Sequence, residues 1–194
     1  GKEIQIISSS EYSCVEDCVR VFGGFRSPAN NFAPCTNWLK KRVRKEWEEK
    51  HKDYELNYVW GFDLAEKGRA ERTVEANPQA KHEFPLIDKN LSKEDVHGLF
   101  ERTFDFARPK MYDMGYPNNN CIGCVKGGMG YWNHIRKDFP EVFESRAKLE
   151  REVGHSMLKD KNGPVYLDEL DPNRGDMNTE IMPDCGIMCY LSLN

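Results

Sequence analysis

The sequence predicts an α/β protein, with a parallel sheet flanked by helices and a cysteine-rich C-terminal region. Segments rich in β-branched and aromatic residues alternate with segments whose apolar residues recur at helical spacing. This alternation favours parallel pairing, because each helix returns the chain to the same end of the sheet. One segment, Leu56–Phe62, is apolar on both faces, as is typical of a strand buried inside such a sheet.

The individual elements follow from local patterns. Three extended segments are predicted: Glu3–Ser8, Leu56–Phe62 and Phe84–Ile87. Five helices are predicted from apolar spacing and capping signals: Ser10–Phe22, Thr36 to about Lys50, a helix after its N-cap Ser92, Tyr131–Lys137, and Pro140 to about Lys159. The helix after Ser92 is expected to bury a stripe of four side chains: Val96, Leu99, Phe100 and Thr103.

Length and composition limit the possible classes of protein. The chain has 194 residues, a net charge of −4 and 39% hydrophobic residues, so we expect residues 1–194 to form a single domain with its own core. The negative charge gives no evidence for direct nucleic-acid binding. No apolar run approaches the ~20 residues of a membrane helix, and the N-terminus has no charged-then-apolar leader. A cytoplasmic location without membrane contact is therefore expected.

Cysteines are the residues most suggestive of chemistry. There are seven: Cys14, Cys18, Cys35, Cys121, Cys124, Cys185 and Cys189. An odd number in a chain of this length favours metal, cluster or redox thiol chemistry over a disulfide framework. Cys14 and Cys18, one helical turn apart beside apolar residues, are expected to serve in packing.

Two other positions favour ligand binding by thiols. Cys121 and Cys124 lie in an Asn- and Gly-rich loop, residues 118–132, at a spacing that lets one metal ion or cluster bind both. The alternative is a pair of reduced cysteines in a turn. Cys35 stands at the start of the helix predicted from Thr36, where free backbone N–H groups and the helix dipole favour a thiolate.

A second candidate site follows the predicted strand Leu56–Phe62. The charged segment Asp63–Arg72 comes directly after it and contains Glu66 and Arg69. Because open α/β sheets bind ligands at the carboxyl ends of their strands, this segment could contact a ligand. The alternative is a solvated helix with local ion pairs.

Four blocks together resemble a known family. They are Pro34-Cys35-Thr36-x-x-Leu39-Lys40, Gly61-Phe62 followed by Glu66 and Arg69, Tyr112-x-x-Gly115 leading into Cys121-x-x-Cys124, and Asp184-Cys185-Gly186-Ile187. In this order they are similar to motifs of the phosphoadenosine phosphosulfate (PAPS) reductase family, including its phage-encoded members, within the adenine-nucleotide alpha-hydrolase-like superfamily. The resemblance covers about residues 30 to 190.

The resemblance implies a Rossmann-like fold that binds an adenylyl nucleotide, with Lys40, Glu66 and Arg69 as nucleotide-binding residues. Cys185 matches the nucleophile that attacks a sulfonucleotide before a thioredoxin-like reductant releases sulfite.

Related branches of the family use cysteines to hold an iron–sulfur cluster, and Cys35, Cys121 and Cys124 match that use. The cofactor is expected to be a 4Fe-4S cluster or zinc, with Cys185 or Cys189 as the fourth ligand.

The sequence also departs from the family. It lacks the phosphate-binding loop Ser-Gly-Gly-x-Asp-Ser, Met188 replaces a His, and Asp63 stands where many relatives carry Arg. Three hypotheses follow: a thiol-dependent sulfonucleotide reductase, an iron–sulfur or zinc protein for sulfur transfer or nucleotide activation of phage or DNA-modification type, and a non-catalytic half-domain. The half-domain would act as a homodimer or with a partner chain that supplies the phosphate loop.

Overall fold

The computed structural model describes residues 3–27 and 32–180. Cys185, Cys189 and the block Asp184–Ile187 lie outside these residues. Within the described part, the chain forms two compact units. The first comprises residues 3–27, 32–51 and 120–180, and the second comprises residues 52–119. The structure mixes helix and sheet and contains a two-stranded parallel sheet, in weak agreement with the predicted α/β class.

The described residues form eight helices. They are α1 (Val15–Phe22), α2 (Pro34–Thr36, a π-helical stretch Asn37–Lys41, then Arg42–Lys50), α3 (Lys67–Ala76), α4 (Pro85–Asp88), α5 (Lys93–Thr103), α6 (Lys110–Asp113), α7 (Met129–Asp138) and α8 (Pro140–Val153). The strands of this part are β1 (Asn57–Val59), β2 (Lys81–Glu83), β3 (Leu158–Asp160) and β4 (Gly163–Val165). Single turns of 3-10 helix form at Leu64–Glu66 and Leu167–Glu169.

The core of the first unit lies between α7 and α8. Apolar and aromatic side chains of these two helices are buried there: Tyr131, Trp132, Ile135, Phe143 and Leu149. Helix α1 packs against α2 and α8 and buries Cys18 and Val19 completely. The Glu180 carboxylate accepts hydrogen bonds from the N–H groups of Gly130 (2.6 Å) and Tyr131 (3.1 Å), so it caps the start of α7.

Two charged residues of α8 fix the surrounding chain. Arg146 is buried and pairs with Glu16 of α1. The fully buried Glu150 carboxylate accepts hydrogen bonds from the N–H groups of Met157 (2.5 Å) and Leu167 (2.6 Å). These bonds attach the segments around the antiparallel β3–β4 hairpin to the helix.

The second unit is built on a short parallel sheet. β1 and β2 pair in the register Asn57↔Lys81, Tyr58↔His82 and Val59↔Glu83. Phe62 and Ala70 form a small core below it, with Trp60, Phe84 and Ile87 packed at its border. No helix in the part of the chain that the structure describes is long and apolar enough to cross a membrane.

Several predicted elements are wrong in position or type. Glu3–Ser8 forms no strand; Ile4 is 87% and Ile6 91% exposed. Phe84–Ile87 is mostly helix α4, because Pro85 occupies a first-turn position that proline favours. The predicted buried strand Leu56–Phe62 pairs only at Asn57–Val59, and Val59 is 63% exposed.

The predicted helices differ from the observed ones at their ends and in one buried face. The helix from Pro140 stops at Val153 rather than Lys159, because Gly154 adopts a left-handed conformation (φ +66°). The first helix starts at Val15 rather than Ser10, although it ends as predicted at Gly23. Ser92 caps α5 as predicted, but Leu99 in its expected inward stripe is 46% exposed.

Candidate functional site

The loop that carries Cys121 and Cys124 is fixed by a glycine and a tyrosine. Gly123 between the two cysteines has φ +72°, and a Cβ there would lie 2.6 Å from Val142 Cγ1, so glycine is required. The hydroxyl of the buried Tyr131 accepts a hydrogen bond from the Cys124 N–H (3.0 Å) and donates one to the Cys121 carbonyl oxygen (3.0 Å). Helix α7 therefore holds both cysteine backbones in place.

The structure brings Cys35, Cys121 and Cys124 together. All three line one cavity of about 80 Å³, formed by the cysteine loop, the start of α2 and Val15 of α1. Cys121 is exposed, Cys35 is half-buried and Cys124 is buried. The cavity, called the cysteine cavity below, therefore runs from the surface into the first unit.

Positive charges border the cysteine cavity. Lys40, in the π-helical stretch of α2, donates a hydrogen bond from Nζ to Cys121 Sγ over 3.7 Å. Lys126 also lines the cavity and is only 3% exposed. A third cation, Arg26, interacts electrostatically with Cys124, and its own burial lowers its pKa. Cations in a partly buried cavity wall favour a negatively charged group inside the cavity.

The cavity wall contains a buried threonine hydroxyl. Thr36 lines the cavity and is 1% exposed, and its Oγ1 has no hydrogen-bond partner among the described residues. From the sequence, Thr36 is named only in a motif and as a helix start, Lys126 is not named, and neither is assigned a role in the site. Their places beside the predicted ligands could have indicated them, since Thr36 follows Cys35 and Lys126 follows Cys124 by two residues.

Cys14 and Cys18 remain apart from this wall. Cys18 is completely buried; its burial, and secondarily the nearby Cys35, raise the pKa of its thiol to about 11. A thiol with this pKa stays protonated at neutral pH, which agrees with the expected packing role. Cys14, which is partly exposed, precedes the first residue of α1.

Glu66 and Arg69 form a local pair in the second unit. Arg69 Nη1 donates to Glu66 Oε1 at 2.5 Å, and the guanidinium lies 4.1 Å above the Phe62 ring. Glu66 also accepts from the Asp63 N–H (3.2 Å), and Asp63 accepts from the Ala65 N–H (2.9 Å). This arrangement matches the alternative of a helix with local ion pairs.

A larger cavity borders this pair. It has a volume of about 380 Å³ and is lined by polar residues that include Asp63, Glu66, Lys93, His97 and Tyr112. Lys93 Nζ donates hydrogen bonds to the Pro117 carbonyl oxygen (3.0 Å) and Asn118 Oδ1 (2.9 Å). Lys40, the third predicted nucleotide contact, belongs to the first unit and lies beside Cys121.

The donor set of the cysteine cavity fits a thiolate-bound metal or cluster in chemistry. Three thiols, neighbouring cations and a hydroxyl that has no partner among residues 3–27 and 32–180 surround one space. No three His, Cys, Asp or Glu side chains within residues 3–27 and 32–180 approach closely enough to form a ready single-ion site. The predicted fourth ligands lie outside those residues.

In comparisons with known proteins, no family model, curated protein or solved structure matches this chain. The resemblance to the PAPS reductase family therefore stays a prediction from four sequence blocks. Parts of two of these blocks, Cys35 with Lys40 and the Cys121–Cys124 loop, meet at the cysteine cavity.

Proposed function

We propose that this protein is a PAPS reductase-like protein whose first unit binds a 4Fe-4S cluster or zinc through Cys35, Cys121 and Cys124. The observation that carries the cofactor proposal is the shared cavity: thiols from two distant chain segments line the same space. Both cofactors favour thiolate ligands and usually take four of them. Cys185 or Cys189 would supply the fourth.

The bordering cations support the same assignment. Four thiolates around a zinc ion or a cluster leave a net negative charge, which Lys40 and Lys126 are placed to offset. When bound, the group would supply structural cross-linking of the two chain segments and an electrostatic field near the thiols.

The reductase chemistry would belong to Cys185. Its thiolate would attack the sulfur of a sulfonucleotide, form a Cys–S–SO₃⁻ adduct and displace the adenosine phosphate. A thioredoxin-like dithiol would then attack the cysteine sulfur, release sulfite and become a disulfide. The two electrons that reduce the sulfur come from this dithiol.

A Rossmann-like fold and a nucleotide site in the second unit belong to the same proposal. Parallel pairing of β1 and β2 supports the fold. The cavity lined by Asp63 and Glu66, which lie in the segment after β1, supports a ligand on the carboxyl side of that strand. Arg69 would have to exchange its bond to Glu66 for a phosphate or sulfate oxygen.

Thiol-dependent sulfite release tests the reductase role. Cys185→Ser should abolish sulfite release from adenylyl sulfate or its 3′-phosphorylated form and leave metal content unchanged. Cys14→Ser, which alters a cysteine outside the cavity wall, should retain both. If Cys185→Ser loses its metal, Cys185 is a ligand. If wild-type protein releases no sulfite, the reductase proposal fails.

A second candidate is the half-domain that acts with a homodimer mate or partner chain. The exposed side chains of Ile4 and Ile6 favour it, because large apolar groups in an extended segment are suited to pairing with another strand. Light scattering would detect a dimer. Tight binding of a nucleotide by a stable monomer would contradict this candidate.

A further inference from the structure

The hydroxyl of Thr36 differs from other helical threonine hydroxyls in this chain. Thr73 and Thr103 donate to the carbonyl oxygens four residues earlier, Arg69 (2.9 Å) and Leu99 (2.7 Å). Thr36 lies in the first turn of α2 and makes no such bond among the described residues. A buried hydroxyl without a partner costs about 1–3 kcal/mol, so native proteins rarely retain one without a reason.

The residues that line the cysteine cavity limit which groups can accept a hydrogen bond from the Thr36 hydroxyl. Lys40 and Lys126 carry ammonium groups, which only donate hydrogen bonds, whereas thiolate sulfurs accept them. Thr36 can donate its proton to such a sulfur and thereby complete its own hydrogen bonding. A sulfur that accepts this bond is held in orientation and loses electron density, as expected for a ligand supported by a neighbouring polar group.

We propose that Thr36 is a positioning residue for the group bound in the cysteine cavity, donating a hydrogen bond from its hydroxyl to a thiolate or sulfide sulfur of that group. It rests on the proposed function, because a bound metal or cluster turns weakly accepting thiol sulfurs into strongly accepting thiolates or adds sulfides. The empty and loaded proteins therefore differ in their need for the hydroxyl. The hydroxyl destabilises the metal-free protein, where it has no acceptor among the described residues, and stabilises the protein that holds the bound group.

Thr36→Val should not lower the stability of the metal-free protein but should weaken binding of the metal or cluster. Valine keeps the branched shape and removes the hydroxyl, so the metal-free variant should be at least as stable as metal-free wild type. Binding should weaken, since loss of a group that orients a ligand typically costs roughly 10-fold or more in metal affinity. Thr36→Ser, which keeps the hydroxyl, is the matched control and should bind as wild type does.

The test uses the full chain under anaerobic conditions. Metal-free protein is titrated with cobalt(II), and a second sample is reconstituted with ferrous iron and sulfide for measurement of the midpoint potential. We expect Thr36→Val to bind cobalt(II) roughly 10-fold or more weakly, or to carry a cluster of more negative potential. Thr36→Ser should match wild type in both measurements.

Different outcomes separate the two proposals. If wild-type protein takes up neither cobalt(II) nor a cluster, the cofactor proposal fails, and the role of Thr36 fails with it. If wild type binds one of them and Thr36→Val equals wild type in affinity and potential, only the role of Thr36 is overturned. A metal-free Thr36→Val protein clearly less stable than wild type would also overturn it, because the hydroxyl would then have a partner within the chain.

Discussion

Replacing Glu150 by Gln should remove one component of the pH dependence of folding stability. The Glu150 carboxylate is completely buried on α8 and accepts two backbone hydrogen bonds, from Met157 and Leu167. Burial outweighs these bonds and raises the pKa of Glu150 from 4.5 to about 7. The folded protein therefore binds this proton more tightly than the unfolded chain does.

The sign and size of the effect follow from this difference. A raised pKa in the folded state contributes stability that is fully present below the unfolded pKa of 4.5 and is lost as the pH rises through about 7. The shift corresponds to a free energy of unfolding on the order of 3 kcal/mol. Glutamine does not titrate, and its amide group cannot accept from both N–H donors, which costs about 1–3 kcal/mol at every pH.

The assay is urea unfolding of wild type and Glu150→Gln between pH 4.5 and pH 8, followed by circular dichroism. The stability advantage of wild type over the variant should shrink by an amount on the order of 3 kcal/mol across this range. Glu144→Gln, at an exposed position of the same helix, is the matched control and should run parallel to wild type. Parallel curves for Glu150→Gln and wild type would contradict a raised pKa of Glu150, because Glu150 would then titrate alike in the folded and unfolded states.

Two further substitutions test the packing of the first unit by chemical denaturation. Gly130→Ala should destabilise it by about 1–3 kcal/mol, since the new Cβ would lie 2.4 Å from a backbone nitrogen. Gly24→Ala, whose Cβ would make only ordinary contacts, should be near neutral; equal losses in both would contradict the close approach. Glu16→Gln should cost about 3 kcal/mol, because the buried Arg146 loses its charged partner. Glu152→Gln, which breaks an exposed ion pair, should be near neutral, and a similar loss in both variants would contradict a special role for the buried pair.

Elements with strong local signals were predictable from the sequence. Ser92 as an N-cap, Pro140 at a helix start and Gly23 at a helix end each act within one turn, so neighbouring residues suffice to identify them. Gly154 carries the same kind of local signal, but the helix was predicted to continue to about Lys159 because the apolar spacing extends to Met157.

Features that depend on distant contacts were not predictable. The β-branched pattern of Glu3–Ser8 indicates a strand only if another strand pairs with it, and the sequence does not show whether one does. In the candidate site, the ligand chemistry of cysteine indicated Cys35, Cys121 and Cys124 individually. Thr36 became a candidate only because it lies buried in the wall of their shared cavity, with no hydroxyl partner in the described part of the chain.

Binding of a metal or cluster by the three cysteines of one cavity can be measured by analysing anaerobically purified protein for iron, acid-labile sulfide and zinc. Wild type should contain about four iron and four sulfide per chain, or about one zinc without sulfide. Cys124→Ser should lose this content, whereas Cys14→Ser should keep it. Wild-type protein with neither cofactor, even after reconstitution, or a Cys124→Ser variant with the full content, would contradict binding by these cysteines.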